Sequence, residues 1–286
     1  MNSKKALGNA SSILKASASR WWASDPATLG AALSFYAIFS LTPLLLFAVV
    51  IIGRFLPANV VENQIVSQIY VYAGRSVAAV VGSVFTAAQQ QRGGITAGIF
   101  GFAVALFGCL GLFVQLEHSL DRVWGILEPS GFIAFVQKKL LAILAVLGLG
   151  LIFVLSIVAT ALLAGFQGIL PKTLGAFLYL VPVGQVVAIV AGFLGLVFAY
   201  RYLPRRKVSW ESILLGSLVT SVLFVIGGGA LKLYLDYVSV SSSYGAAGTL
   251  AVLLVWMYYS SQIFFFGAAL TYSIDESKKS KQQHRA

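Results

Sequence analysis

LGAALSFYAIFSLTPLLLFAVVII, Leu29 to Ile52, contains no charged side chain. At about 1.5 Å of rise per residue, a helix of this length crosses a hydrocarbon core of about 30 Å. Five further apolar runs follow, Ile95 to Leu116, Leu140 to Phe166, Phe177 to Tyr200, Ser212 to Leu235 and Ala246 to Tyr272, and Lys232 near the end of the fifth span is the one charge among them. None alternates with period two. In lipid every backbone N–H and C=O must be paired within its own segment, so helices are the spanning form. The expected fold is all-α: a polytopic membrane protein with six transmembrane helices plus short amphipathic helices. Ser76 to Ala88 is apolar too but too short to span, so Val60 to Gln91 reads as amphipathic or re-entrant helix on the outer face.

The seams between the runs are unequal in charge. One set collects Lys4, Lys5, Lys15 and Arg20, then Arg122, Lys138 and Lys139, then Arg201, Arg205, Arg206 and Lys207, and finally Lys278, Lys279, Lys281 and Arg285. The opposite set holds only Arg54, Arg75, Arg92, Lys172 and Lys232. The positive-inside rule then places both termini in the cytoplasm of a multi-pass protein. A net charge of +11 on a chain that is 59% hydrophobic and 10% charged sits at membrane-facing seams. Its expected partners are membrane lipids; no soluble basic domain is present to carry nucleic acid. Nothing in these runs specifies an oligomeric state. The single cysteine, Cys109, leaves no intrachain disulfide and no Cys-based metal site. The residues before Leu29 and the length of the first run argue against a cleaved signal peptide.

Residues 1–28 read as a cytoplasmic amphipathic helix, 29–272 as the six-helix transmembrane domain and 273–286 as a disordered cytoplasmic basic tail. In the first segment Leu7, Ser11, Leu14, Ala18, Trp21 and Trp22 recur at helical spacing, with Trp21 and Trp22 suited to the headgroup level and Asp25-Pro26 to a break. Glu117 to Lys139 reads as a cytoplasmic elbow. Three helices in each half leave an inverted three-plus-three repeat open.

Small-residue stripes at Gly94, Gly98, Gly101, Ala105 and Gly108, and at Gly184, Ala188, Gly192 and Gly195, point to close helix packing. The sixth run is more informative, because Trp256, Tyr258, Tyr259, Ser260, Ser261 and Gln262 fall near its middle, where aromatic belts do not belong. Their polar atoms need partners in the bundle or in a water-filled cavity. The first run offers Ser34, Tyr36, Ser40 and Thr42, and Pro43 removes a backbone donor and favours a kink. These residues define a candidate substrate path between the first and sixth helices; interhelical glue is the competing account. Charged pairs at helix ends, Glu117 and Asp121 beside Arg122, and Lys232 with Asp236, are candidate gates or local ion pairs. Gly227-Gly228-Gly229 suits either a hinge or close packing.

No phosphate-binding G-x-x-x-x-G-K-[ST] loop and no H-E-x-x-H occurs, and His118 and His284 are the only histidines. No cofactor, no metal site and no catalytic residue are therefore expected, and the chain does not read as an enzyme. Three separated motifs, ALSFYAIFSLTP from Ala32 to Pro43, Tyr202-Leu203-Pro204 with its basic cluster and Trp210, and Ser243-Tyr244-Gly245-Ala246-Ala247-Gly248 leading to Trp256, Tyr258 and Tyr259, together resemble the YihY/BrkB family of bacterial inner-membrane proteins. The resemblance covers Trp21 to Tyr272. It implies six membrane helices and a transporter or envelope-associated role, with some members linked to lipid or lipopolysaccharide export. The family's older label of tRNA ribonuclease is disfavoured by the sparse carboxylates. Members often carry an acid where this chain has Ala269 and a base near Gly228, so no mechanism here can use those charges. The expected function is a transporter or flippase-like exporter of an amphipathic or lipid-linked envelope component, with a non-transporting scaffold or envelope-integrity protein as the alternative.

Overall fold

A computed structural model describes residues 2–52, 95–126, 183–237 and 240–283, with isolated helical positions between 66 and 86. They form α1 (Asn2–Ala23), α2 (Pro26–Ile52), α3 (Ile95–Val123), α4 (Val183–Tyr202), α5 (Trp210–Tyr237) and α6 (Val240–Gln283). Among the described residues there is no strand, as the all-α expectation requires. Trp210–Leu231 and Ala251–Gln283 are each long and apolar enough to cross a membrane. The run Leu140 to Phe166 and most of Val60 to Gln91 lie outside the described residues.

Helix α6 is the hub, packing against α1, α2, α3 and α5, while α2 also packs on α3 and α4 on α5. Its direction is fixed by contact order: Gly30 of α2 faces Tyr258 and Gln262, whereas Ile38 packs with Val252 and Leu253, so the two helices are antiparallel. The main core gathers Leu29, Leu33, Leu120, Trp124, Tyr200, Ile213, Phe265, Ala268 and Tyr272 at the end where α3, α4 and the C-terminal part of α6 meet. On α5 the stripe Leu214, Leu218, Val222, Val225 and Ile226 stays exposed. Such an apolar stripe suits lipid, which gives apolar side chains no reason to turn inward.

Local chemistry sets the breaks. Asp25 adopts a left-handed φ of 58° and its carbonyl accepts the first bond of α2, from Leu29 N at 3.2 Å. Pro26 follows at the first helical position, where its missing N–H costs nothing. The expected Asp25-Pro26 break is thus observed. Helix α3 ends in a Schellman motif: Gly125 has φ 74°, its N–H bonds Arg122 O at 3.1 Å, and Ile126 N–H bonds Asp121 O at 2.8 Å. Glu117 and Asp121 therefore belong to α3, and the elbow expected from Glu117 begins only after Val123.

Two expectations change. The tail from 273 is not disordered as far as Gln283: α6 continues as helix. Asp275 pairs with Lys279 one turn on, at 2.7 Å, Glu276 with Arg20 of α1 at 2.8 Å, and Lys278 with Glu211 of α5 at 2.8 Å. Ion pairs to neighbouring helices supply what an isolated basic tail lacks. Helix α1 is also more than a surface anchor, because Trp21 packs edge-on against Phe266 of α6 while Trp22 remains 74% exposed.

The α5–α6 contact is built from a paired motif. G-x-x-x-T occurs as Gly216 to Thr220 in α5 and as Gly267 to Thr271 in α6. Each threonine hydroxyl donates to the glycine carbonyl of its own helix, at 2.6 and 2.8 Å, and each sits over the opposite helix's glycine. A Cβ on Gly267 would also meet the Tyr200 hydroxyl at 2.6 Å, so α4 joins at this point. This close approach is the membrane-helix use of small residues, with polar hydroxyls satisfied locally.

Candidate functional site between α2, α5 and α6

The polar stretch Tyr258 to Gln262 lies between α2 and α5, each of which offers it a glycine. A Cβ on Gly30 would meet the Tyr258 ring at 3.2 Å, and one on Gly227 would meet the Tyr259 hydroxyl at 3.0 Å and Ile263 at 2.6 Å. Gly227 is therefore a packing glycine, whereas Gly229 meets no described neighbour. Gln262 Nε2 donates to the Pro26 carbonyl at 2.9 Å, pinning the start of α2 to α6.

Three serine hydroxyls turn back on their own helices: Ser261 to Met257 O at 2.8 Å, Ser34 to Gly30 O at 2.7 Å and Ser40 to Ala37 O at 2.9 Å. The tyrosines differ. Neither the Tyr258 nor the Tyr259 hydroxyl has a hydrogen-bond partner among the described residues, and Tyr258 is 38% exposed. Tyr36 and Ser40 face α3 rather than α6, since Cβ atoms on Gly111 and Gly108 would meet them at 3.0 and 3.5 Å. The residues expected on one path thus divide. Tyr258, Tyr259 and Gln262 gather around Gly30 and Gly227, while Tyr36 and Ser40 build the α2–α3 seam. Thr42 and Pro43 lie within α2, which continues as helix to Ile52; their side chains, and those of Lys232 and Asp236 on α5, are outside the described residues.

At the other extreme, the basic end of the bundle is densely tied. Arg205, on the turn between α4 and α5, lies with Nε 3.1 Å from Asp121 and 3.7 Å from Glu117, and its backbone N–H donates to Asp121 Oδ1 at 2.9 Å. The two acids were expected beside Arg122. The fold instead gives them Arg205, and Arg122 is exposed, because Asp121 is buried at 5% exposure under the turn. Ser209 N–H donates to Asp275 Oδ1 at 3.0 Å. Burial alone would raise the Asp275 carboxyl, but hydrogen bonds from Lys279 and Ser209 outweigh it and hold it below its ordinary value.

Aromatic groups complete this end. Trp124 Nε1 donates to Ala268 O at 3.0 Å, and its ring lies 5.8 Å from that of Tyr272. The Arg20 and Arg206 guanidinium carbons lie 4.1 and 4.8 Å from the Tyr272 ring centroid, and Arg206 also donates to its hydroxyl. Arg201 donates to Val208 O at 2.8 Å and lies 4.7 Å from the Trp210 ring centroid. Sequence reasoning missed the contacts that cross the bundle, such as Arg206 with Tyr272 and Trp124 with Ala268, because their partners stand 66 and 144 residues apart.

The model of the family described as Virulence factor BrkB matches residues 17–286. The chain belongs to this family. The match runs beyond Trp21 to Tyr272 and takes in the helical tail of this BrkB-family chain. Among curated relatives it is 28% identical to a UPF0761 membrane protein of Methylibium petroleiphilum, over 60% of this chain and 41% of the relative. It is 26% identical to one of Delftia acidovorans, over 82% and 52%. It is also 26% identical to one of Pseudoalteromonas translucida, over 88% and 84%. The chain spans about half the length of the first curated relatives it matches. No solved structure matches it. This BrkB-family chain is a membrane protein, and both the tyrosine site and the tied end fall inside the matched region.

Proposed function

We propose that this protein is a flippase-like exporter in a bacterial inner membrane, with six spans and both termini cytoplasmic. Its cargo would be an amphipathic or lipid-linked envelope component, moved by alternating access around α2, α5 and α6. The observation that carries this reading is the pair of Tyr258 and Tyr259 hydroxyls, which lack hydrogen-bond partners among the described residues within an apolar run. Neither hydroxyl is among the buried unpartnered groups, so both stay accessible, whereas a bundle that used them only as glue would pair them. A cargo or water reaching the site would satisfy them. Full charges stay at the ends of the apolar runs, so hydroxyls and one amide suit a cargo with an apolar body better than a bare ion.

In this scheme the network around Arg205 is the closed cytoplasmic gate, and opening separates α3 from the α4–α5 turn. No catalytic chemistry is assigned. A non-transporting scaffold or envelope-integrity role is the second reading, favoured by the serines turned onto their own helices and by the Gln262 bond to Pro26. Reconstitution into liposomes with a panel of labelled phospholipids and glycolipids separates the two. Transport predicts that at least one lipid redistributes faster than in empty vesicles and that Tyr259→Phe or Gln262→Leu slows it. No redistribution of any panel member above empty vesicles rejects it in favour of the scaffold.

A further inference from the structure

Beside exposed cations such as Arg122, Lys207 and Lys281, the anchored cations of the basic end fall into two groups. Arg20, Arg205, Lys278 and Lys279 each have a carboxylate within 4 Å, and these pairs use Glu276, Asp121, Glu117, Glu211 and Asp275. Arg201 and Arg206 are held just as firmly, but by neutral groups. Val208 O and the Trp210 ring hold Arg201, and the Tyr272 ring and hydroxyl hold Arg206. Neither has an acidic partner among the described residues, and the adjacent Lys207 is exposed. A cation fixed in position with its charge uncancelled is preorganised for an anion, because the side-chain entropy of holding it is already lost.

The surroundings narrow the anion's source. Tyr202 and Trp210 flank the turn at 44% and 49% exposure, amphipathic rings of the kind that sit at headgroup level. Below Trp210 on the same helix runs the exposed stripe Leu214, Leu218 and Val222, an apolar face continuous with the charged turn. The turn itself is anchored by Arg205 N–H on Asp121 and Ser209 N–H on Asp275. We infer that the α4–α5 turn is a binding site for the phosphate headgroup of an anionic glycerophospholipid, with Arg201 and Arg206 as its cations, Tyr202 and Trp210 at its rim and the α5 stripe against the acyl chains. This lipid would stay with the protein, so the site stands whether or not the chain transports anything.

The test uses the full chain in nanodiscs of phosphatidylcholine with a minority of phosphatidylglycerol, extracted gently and weighed by native mass spectrometry. Retained phosphatidylglycerol should exceed its share of the bilayer by about tenfold, and Arg201→Gln with Arg206→Gln should bring retention to within about twofold of that share. Lys15→Gln with Lys281→Gln, two exposed positions away from the turn, removes the same formal charge and should leave retention unchanged. Equal loss in both double variants overturns the site in favour of bulk charge, and so does unchanged retention in the first. Glycerol phosphate or inorganic phosphate at millimolar level should not displace the lipid; displacement reassigns the site to a free anion. Should the arginine variant misfold, a photoactivatable phosphatidylglycerol on the wild-type chain decides: labelling concentrated on residues 201–222 supports the site, and labelling elsewhere overturns it.

Discussion

The basic end and the middle of α6 solve the same problem in opposite ways. At the basic end, Arg205, Asp121, Asp275, Arg20 and Tyr272 satisfy one another across α1, α3, the α4–α5 turn and α6. In the middle, Gly30 and Gly227 bring α2 and α5 against Tyr258 and Tyr259, yet those hydroxyls find no hydrogen-bond partner among the described residues. Ion pairs and ring contacts hold the helices together at the basic end, whereas the two tyrosine hydroxyls, unpaired but not sealed in the bundle, leave a surface on which a cargo can bind. Stability and activity should therefore separate along α6.

The largest effect is expected at the glycine–threonine lock. Gly267→Leu forces a side chain into space held by Thr220 and Tyr200, and should cost about 3 kcal/mol or more, read as a lowered unfolding midpoint in detergent. Asp121→Asn comes next. It leaves Arg205 without its nearest carboxylate, and because that arginine is 28% exposed the loss should be about 2 kcal/mol rather than the full cost of an orphaned buried charge. A loss as large at Tyr259→Phe would erase the contrast between the two regions.

Acid should act only on the tied end. The Asp275 carboxyl is held below its ordinary value of 3.8. Its stabilisation is accordingly complete above that value and is lost as pH falls through the lowered one. Thermal midpoints should drop on acidification in that window, and Asp275→Asn should flatten the dependence. Arg20→Gln, which removes a half-exposed pair with Glu276, should shift stability by less than about 1 kcal/mol. Smallest of all, Tyr258→Phe and Tyr259→Phe should leave the midpoint unchanged within about 0.5 kcal/mol, because no internal hydrogen bond is lost.

Much of this was legible in the sequence. Long uncharged runs can only be helices in an apolar solvent, and Asp25-Pro26 announced its own break. The polar interruption at Tyr258 to Gln262 was visible as a depth anomaly. What could not be read was pairing across the chain. Glu117 and Asp121 stood beside Arg122 in sequence, but Arg205 takes them because the turn folds over α3. Helical spacing could place Ser34, Tyr36 and Ser40 on one element but could not say that Tyr36 and Ser40 face α3. Both G-x-x-x-T motifs were present in plain view, yet only the antiparallel approach of α5 and α6 reveals that each threonine covers the other's glycine. The helical tail was misjudged from composition alone, although the Asp275 and Lys279 spacing carried the signal of a helix.

The claim that the middle of α6 is a working surface is tested most directly by lipid redistribution in liposomes holding equal amounts of folded wild-type and Tyr258→Phe, Tyr259→Phe protein. The account predicts redistribution above empty vesicles for the wild type, its loss in the double variant and an unchanged unfolding midpoint. A double variant that moves lipid as fast as the wild type, or that loses stability along with transport, would contradict it.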